Sequence, residues 1–285
     1  MTPAVLAKIM VKSKRAQRDT TLARLETIFA GLGKVAVAVS GGVDSLTLAT
    51  VAARVCGPSA TMYHAVSPAV PPEATARTRT LAASQGWVLD VFDAGEFADA
   101  DYRDNPANRC FFCKTNLYSA IARRTRAQIV SGTNRDDLGE YRPGLDAARR
   151  HRVRHPYVEA GIGKQEVRRL AAALGLDGIA ELPASPCLSS RIETGIRIEA
   201  PLLSVVHQAE RLVTTLLAPR TVRCRVRAAG VVIELDEETL AGLNEIERGR
   251  LQDRLNELMT GAGLKRPITF EAYRTGSAFL TDSFA

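Results

Sequence analysis

Short apolar runs and amphipathic stretches alternate along the first two thirds of the chain. Residues 35–39 form an apolar run rich in β-branched residues, which is typical of a central strand in a parallel sheet. Similar runs predict strands at residues 61–66, 87–92 and 128–130. Apolar residues at helical spacing follow the first strand, at Leu46, Leu48, Ala49, Ala52 and Ala53. This alternation predicts parallel strands joined by right-handed crossovers.

Both ends of the chain have different patterns. Residues 1–33 carry a helical apolar stripe that consists of Leu22, Leu25, Ile28, Phe29 and Leu32. Near the other end, a helix is predicted at residues 202–217, an antiparallel hairpin at 222–226 and 231–235, and a last strand at 268–273. Between the hairpin and that strand, one helix is predicted from Leu240, Leu243, Ile246, Leu251, Leu255 and Leu258. We therefore predict a first domain at 1–200 and a smaller α+β domain at 201–285.

Polar residues collect where the predicted strands end. Ser67 follows the second strand, Asp93 follows the third, and residues 131–137 follow the fourth. In parallel sheets, ligands bind beyond the carboxyl ends of the strands, so one crevice is expected to hold these residues. His64 lies inside the second strand, and we interpret it as a core histidine.

The sequence Ser-Gly-Gly-Val-Asp-Ser at residues 40–45 lies between the first strand and its helix. Its glycines allow a sharp turn, and the amides of the new helix point toward an anion. The motif lacks the lysine of a Walker A loop. It resembles the pyrophosphate loop of the PP-loop ATP pyrophosphatases, which have an adenine nucleotide alpha hydrolase-like, Rossmann-like fold. That resemblance implies cleavage of ATP between the α and β phosphates; a tight turn without a ligand is the alternative.

Composition and charge narrow the class of protein. The chain has 285 residues, of which 46% are hydrophobic and 24% are charged, as is ordinary for a globular protein. No apolar run approaches the roughly 20 residues of a membrane span, and no signal segment is recognised, so we expect a cytoplasmic protein. The net charge of +7 favours anionic partners: nucleotides, a phosphorylated small molecule or RNA. A generally basic surface explains this charge equally well.

Five cysteines, an odd number, argue against a disulfide framework. Cys110 and Cys113 have Cys-x-x-Cys spacing near a helix start, which suits either a shared metal centre or a redox pair, and Cys187 lies in a proline-bounded loop. We interpret these three as ligands of a 4Fe–4S cluster, because three thiolates leave one cluster position open for chemistry. The alternative is that they are small buried residues, which is our interpretation of Cys56 and Cys224.

Together these stretches resemble one branch of the PP-loop proteins, the ATP-dependent sulfur transferases of the LarE family. That family makes the pyridinium-bisthiocarboxylate mononucleotide of the nickel-pincer cofactor of lactate racemase. The matching stretches are residues 40–45, 109–114, 131–137, 141–144, 159–161 with Lys164, 186–191 and 273–277. They cover nearly the whole chain.

The resemblance implies a role for each motif residue. The substrate carboxylate is adenylated, and sulfur then attacks the acyl-adenylate to give a thiocarboxylate. The expected nucleotide and substrate contacts are Ser40, Gly41, Gly42, Asp44, Ser45, Ser67, Gly132, Arg142 and Arg191. Asp44 is expected to help place Mg²⁺, and Asp136 and Glu140 are further candidate contacts. Arg142 and Arg191 could equally form structural ion pairs.

The resemblance also implies the source of the sulfur. Some members of the family have only the cysteine equivalent to Cys187 and sacrifice its sulfur, whereas others have all three cysteines and use a 4Fe–4S cluster. This chain has all three, so we expect Cys110, Cys113 and Cys187 to bind the cluster and to act with Asp44 in catalysis. The expected partners are a small anionic mononucleotide of the pyridinium dicarboxylate type and sulfide or a sulfur-donor protein. We expect a homo-oligomer that does not bind RNA or membranes.

Three other functions remain open. A PP-loop tRNA thiolase would use the same adenylation and cysteines on a base of RNA, and it predicts salt-sensitive RNA binding. An amide-forming synthetase would leave the three cysteines unexplained. Outside enzymes, the chain could be a nucleotide-binding or cluster-carrying module.

Overall fold

The computed structural model describes residues 20–139 and 142–278. Contacts group them into two compact units, each made of several segments of the chain. The first unit comprises residues up to Val66, Pro72–Gly95 and Cys113–Ser185. The second comprises Ser67–Pro71, Glu96–Phe112 and the residues from Pro186 onward. The division into domains at 1–200 and 201–285 stays a prediction.

Helices and strands alternate along the described residues. The strands are β1 (Val35–Ala38), β2 (Ala60–Ala65), β3 (Val88–Phe92), β4 (Gln128–Ser131), β5 (Val222–Arg227), β6 (Gly230–Leu235) and β7 (Ile268–Ala272). The helices are α1 (residues 20–30), α2 (Val43–Cys56), α3 (Pro72–Gln85), α4 (Ala100–Arg103), α5 (Arg109–Arg124), α6 (Pro143–Arg150), α7 (Pro156–Glu159), α8 (Lys164–Ala173), α9 (Asp177–Ala180), α10 (Ala200–Leu217), α11 (Glu237–Gly242) and α12 (Glu245–Gly261). None of the helices in this part of the chain is long and apolar enough to cross a membrane.

A four-stranded parallel sheet forms the centre of the first unit. Its order is β3-β2-β1-β4, with Val35 of β1 opposite Ala60 of β2 and Gln128 of β4. Every residue of β1 is buried, as its apolar run predicts. Leu25 and Phe29 of α1 belong to the same core, so the apolar stripe of the first helix is confirmed. This sheet and its flanking helices confirm the predicted α/β, Rossmann-like fold.

His64 is a core histidine, as predicted. It is fully buried in β2, and its Nδ1 and Nε2 atoms lie 2.8 Å from the Val39 carbonyl oxygen and 2.9 Å from Thr75 Oγ1. Burial lowers the pKa of this imidazole. The side chain therefore links β2 to the start of α3 in its neutral form.

A second, three-stranded sheet lies in the second unit. Strands β5 and β6 form the predicted antiparallel hairpin, and β7 pairs with β6 in parallel. Helices α10 and α12 bring buried residues such as Val206 and Leu255 to the core. The smaller α+β part of the fold is therefore confirmed.

The prediction of one continuous helix through the leucines from 240 to 258 was wrong. Helix α11 ends at Gly242, and Asn244 starts α12 by accepting a hydrogen bond from the Glu247 amide at 3.0 Å. The Glu247 carboxylate in turn accepts a hydrogen bond from the Asn244 amide at 3.3 Å. This capping box begins a new helix, and it leaves Ile246, one of the predicted apolar positions, 69% exposed.

Candidate functional site

The turn at residues 40–45 joins β1 to α2 and requires glycine at position 41. Gly41 has a φ of +83°, and a Cβ atom there would lie 2.7 Å from the carbonyl oxygen of Ala74 in α3. Ser45 Oγ accepts a hydrogen bond from the Ser40 amide at 3.1 Å and donates one to the Gly42 carbonyl at 3.1 Å. The turn is thus held in shape by its own serine and by close packing against α3.

The start of α2 has the geometry of an anion site. Gly42 is its N-cap, and no side chain within the described ranges caps it there. In an α-helix, the first amides lack partners within the helix, and the helix dipole places partial positive charge at the same end. Since α2 has 14 residues and follows a central strand, this end of the helix suits a phosphate group.

Gly132 brings the loop after β4 directly against α2. A Cβ atom at this position would lie 3.0 Å from the carbonyl carbon of Asp44 and from the amide nitrogen of Ser45. Any larger residue would push the loop away from the helix. The structure therefore joins two of the predicted motifs, residues 40–45 and 131–137, by backbone packing.

Asp44 is the centre of a polar network in the first unit. Its Oδ1 atom accepts a hydrogen bond from Asn134 Nδ2 at 3.2 Å, and its Oδ2 atom contacts the ammonium group of Lys164. Its backbone carbonyl accepts a hydrogen bond from the Tyr157 hydroxyl at 3.0 Å. Burial, with a smaller contribution from the Asp44 charge, raises the pKa of Tyr157 well above its usual value, so this hydroxyl stays a donor.

Lys164 belongs to a matching stretch, but its contact with Asp44 is not predicted from the sequence. It is the first residue of α8, and its amide donates to Asp136 Oδ2 at 2.8 Å. The side chains of Lys164 and Asp44 are 36% and 24% exposed, so their ion pair contributes at most about 1 kcal/mol to folding. A lysine at the positive end of a helix dipole is unfavourable. This unfavourable position is the feature of the sequence that indicates a specific role for Lys164.

Two further residues near the turn had no strong signal in the sequence. Arg77 of α3 donates from Nε to the Gly41 carbonyl at 3.2 Å and so supports the turn. His155 lies with its Nδ1 atom 2.9 Å from Ser131 Oγ, at the carboxyl end of β4. Burial lowers the pKa of His155, which favours the neutral imidazole.

Three of the remaining predicted contact residues do not join the network around Asp44 in the described structure. Arg142 lies 3.0 Å from the Asp137 carboxylate and is partly exposed. Ser67 belongs to the second unit, where its hydroxyl accepts a hydrogen bond from the Ala69 amide at 3.3 Å. Glu140, together with Tyr141 of the matching stretch 141–144, lies outside the described residues.

Cys187 opens a short 3-10 helix, Leu188–Arg191, in the second unit, and its side chain is exposed. Its carbonyl oxygen accepts a hydrogen bond from Ser190 Oγ at 2.7 Å. The next amide, of Leu188, donates to the Ala69 carbonyl at 2.8 Å. The backbone of this loop is therefore fixed while its thiol faces solvent.

Arg191 lies in a buried ion pair. Its Nε and Nη2 atoms donate to the two carboxylate oxygens of Glu210 at 2.9 and 3.1 Å, and its Nη1 atom donates to the Cys187 carbonyl at 3.1 Å. Glu210 also accepts a hydrogen bond from the Cys224 amide at 3.0 Å. Of the two roles considered for Arg191, this geometry supports the structural ion pair.

The cysteines differ strongly in exposure. Cys110 and Cys113 lie three residues apart on α5, hence on one face of that helix, and both are half-buried. Cys224 is fully buried, as predicted, and burial raises the pKa of its thiol. Cys56 is half-buried next to the core of the first unit. In the ranges that the structure describes, no three His, Cys, Asp or Glu side chains form a group that could hold a metal ion.

Comparison with known proteins identifies relatives of the chain. No family model matches the chain. An uncharacterized protein of Synechocystis is 38% identical over 196 residues, which are 67% of this chain and 73% of that protein. The pyridinium-3,5-bisthiocarboxylic acid mononucleotide synthase of Lactiplantibacillus plantarum is 28% identical over 264 residues, 90% of this chain and 93% of the synthase. The similarity to this synthase supports assignment of the chain to the LarE family.

A more distant similarity covers half of the chain. An uncharacterized protein of Methanocaldococcus jannaschii is 27% identical over 147 residues, which are 50% of this chain and 57% of that protein.

Within the first unit, the structure brings the turn at residues 40–45 together with Gly132, Asn134 and Lys164. The roles of these residues, and of the cysteines, are proposals.

Proposed function

We propose that this chain is a member of the LarE family and an ATP-dependent sulfurtransferase of nickel-pincer cofactor biosynthesis. The observation that carries the proposal is the similarity to the Lactiplantibacillus plantarum synthase along 90% of the chain. The uncapped start of α2 beside Asp44 and Lys164 supports it, because this end of the helix suits the phosphates of a nucleotide. The proposed substrate is a pyridinium dicarboxylate mononucleotide.

The reaction has two steps. A substrate carboxylate oxygen attacks the α phosphorus of ATP, the bond from this phosphorus to the bridging oxygen breaks, and pyrophosphate leaves with the electron pair. Sulfur at the oxidation level of sulfide then attacks the acyl carbon, and AMP leaves with the electrons of the carbon–oxygen bond. The product is a thiocarboxylate. The first step is needed because a carboxylate is a poor electrophile, whereas its anhydride with AMP has a stabilised leaving group.

The residues at the start of α2 suit the first step. The amides of the first turn and the Lys164 ammonium group supply positive charge where negative charge accumulates on the leaving pyrophosphate. Asp44 fits a Mg²⁺ ion, because proteins hold this ion through one or two carboxylates together with substrate phosphates. When bound, Mg²⁺ would neutralise phosphate charge.

For the second step we propose that Cys187 takes part in sulfur delivery. As a ligand it would help to hold the cluster that supplies sulfide. As a sacrificial residue, its thiolate would attack the acyl carbon and AMP would leave; the Cβ–Sγ bond would then break as the Cα proton goes to a base, which leaves the thiocarboxylate and dehydroalanine. The Cys187 thiol is exposed on a loop with a fixed backbone, which suits a group that must meet a substrate. Cys110 and Cys113 would complete the ligand set of the predicted 4Fe–4S cluster. Because the described residues contain no assembled group of three such ligands, we assign no step of the reaction to the cluster.

Substrate choice tests the proposed function. Wild-type protein with ATP and Mg²⁺ should convert the pyridinium dicarboxylate mononucleotide, in the presence of sulfide, into a product that mass spectrometry identifies as a thiocarboxylate. Total tRNA at physiological salt should show no tight, saturable binding. Saturable binding of tRNA without adenylation of the mononucleotide would instead favour a tRNA thiolase.

A further inference from the structure

The connections that enter the first sheet at the amino ends of its strands carry charge of one sign. These connections are residues 31–34 before β1, 57–59 before β2, 86–87 before β3 and 125–127 before β4. They contain Lys34 and Arg126 but no Asp or Glu. Residues 151–153, which follow α6, add Arg152 and again no acidic residue. The end of the sheet opposite the turn at residues 40–45 is therefore basic.

Gln128, the first residue of β4, brings these three basic residues together. Its backbone amide donates a hydrogen bond to the Lys34 carbonyl at 2.9 Å, and its side-chain amide donates one to the Arg152 carbonyl at 2.8 Å. Arg126 precedes Gln128 by two residues. Lys34, Arg126 and Arg152 are all exposed, and over the described ranges their side chains form no ion pair. We call these three residues the basic patch.

Helix dipoles do not explain the basic patch. Basic residues in the last turn of a helix are stabilised by its partial negative charge, which accounts for Arg124 of α5 and Arg149 of α6. These two arginines also have acidic partners, Asp90 at 3.5 Å and Asp146 at 3.0 Å. The residues of the basic patch lie outside the helices, so their charge needs another explanation.

The backbone at Arg152 does not favour an arginine. Its φ is +52°, in the left-handed region that is unfavourable for a residue with a Cβ atom and easy for glycine. Hydrogen bonds from its amide to the Arg149 carbonyl at 3.1 Å and from Gln128 to its carbonyl hold this conformation. The presence of arginine is therefore explained by its exposed side chain rather than by the turn.

We propose that the basic patch is a docking surface for an acidic face of a partner protein. The guanidinium groups of Arg126 and Arg152 suit carboxylates, which they can bind through two parallel hydrogen bonds. The partner should be a protein rather than RNA, because Asp90 and Asp146 limit the patch on both sides. A long chain of phosphates would be repelled by these carboxylates, whereas a protein face with a few acidic residues fits between them.

The position of the patch is compatible with activity elsewhere in the first unit. Lys34 directly precedes β1, and the turn at residues 40–45 follows the same strand at its other end. A partner bound at the patch would therefore leave that turn accessible. The docking surface does not depend on the proposed reaction.

Binding of a fluorescently labelled octaglutamate peptide, measured by anisotropy, tests the docking surface. Wild type should bind the peptide saturably at about 0.1 M salt and more weakly as salt is added. The double variant Arg126→Gln/Arg152→Gly should bind it about fivefold more weakly or worse. Its urea unfolding midpoint should not fall below that of wild type, because glycine suits the backbone at position 152.

The matched control is Arg250→Gln/Arg254→Gln, which removes the same charge from exposed positions on α12. This variant should bind the peptide as wild type does. An equal loss in both double variants would overturn the docking surface, because binding would then follow net charge alone. Absence of saturable peptide binding by wild type would also overturn it. Tighter binding of total tRNA than of the peptide, lost in Arg126→Gln/Arg152→Gly, would replace the acidic protein with RNA as the partner.

Discussion

Cys187 has the exposure expected of a reactive thiol, whereas Cys224 is buried like a core residue. The first is exposed at the start of a 3-10 helix, and the second is fully buried with its pKa raised by burial. Because the thiolate is the reactive form, exposure and pKa together determine the order of reaction. In the folded protein, iodoacetamide should modify Cys187 before Cys224, as mass spectrometry of time points would establish. Faster modification of Cys224 would contradict this description of the second unit.

Substitution of Cys187 should separate the two steps of the reaction. Cys187→Ala is expected to lose thiocarboxylate formation by at least an order of magnitude while it still forms AMP and pyrophosphate, because activation is assigned to the start of α2. Cys56→Ala is the control, since Cys56 lies on a helix beside the core. Quantification of both products in one reaction makes the comparison. Full thiolation by Cys187→Ala would remove this cysteine from the mechanism.

The iron content of protein purified without oxygen shows whether the sulfur comes through a 4Fe–4S cluster or from Cys187 itself. Wild type should be brown and contain iron. Each of the variants Cys110→Ala, Cys113→Ala and Cys187→Ala should lose both the colour and the iron. Iron-free wild type, with Cys187 lighter by the mass of hydrogen sulfide after one turnover, would identify a sacrificial cysteine.

For single residues, the sequence predicts the members of a motif better than the residues that these members contact. The turn at residues 40–45 was predicted because its glycines and serines are contiguous. Lys164 and Tyr157 contact Asp44 from more than a hundred positions away, and only the folded chain brings α8 and the preceding helix to the start of α2. Arg191 has the residue type of a phosphate ligand, but Glu210 on α10 meets it in the core.

Among the elements, α10 depends on the ion pair between Glu210 and Arg191. Arg191→Ala would leave the Glu210 carboxylate buried without its partner, which costs roughly 3–5 kcal/mol of unfolding free energy. Arg197→Ala, which removes an exposed arginine paired with Asp104 and Glu199, should cost less than about 1 kcal/mol. Urea unfolding of both variants measures the difference. A small cost for Arg191→Ala, together with lost substrate binding, would instead support a substrate contact.

The link from β2 to α3 through His64 should make stability depend on pH. Burial holds the folded-state pKa of His64 below its ordinary value of 6.5, so the unfolded chain binds the proton more readily. This contribution is fully present above the unfolded-state pKa of 6.5, and it is lost as the pH falls from there through the lower folded-state pKa. The stability advantage of wild type over His64→Gln in urea should therefore be larger at about pH 8 than at about pH 5. An advantage that grows in acid would contradict the neutral, buried imidazole.

The strands of the first sheet were predictable because a buried parallel strand is a continuous apolar run, as in β1. The break between α11 and α12 was not predicted, because the spacing of the leucines continues across it. Asn244 and Glu247 form the capping box that starts the new helix, and a cap of this kind outweighs apolar periodicity over one turn.

For the whole molecule, the division into two units is the feature that is hardest to read from the sequence. Ser67–Pro71 and Glu96–Phe112 lie between strands of the first sheet in the sequence, yet they pack with the residues from Pro186 onward. Asn105 illustrates the reason: its side chain donates to the carbonyl oxygens of Glu193 and Ile196 at 2.8 and 2.9 Å. Such contacts between distant segments leave no periodic signal in the chain.

The fate of ATP tests the proposed enzyme most directly. Wild-type protein would be incubated with ATP, Mg²⁺ and the pyridinium dicarboxylate mononucleotide, and the nucleotides separated by chromatography. We predict AMP and pyrophosphate in equal amounts, and neither from Asp44→Ala, which should stay folded because its ion pair with Lys164 is partly exposed. ADP and phosphate as the only products from wild type would contradict the proposed reaction.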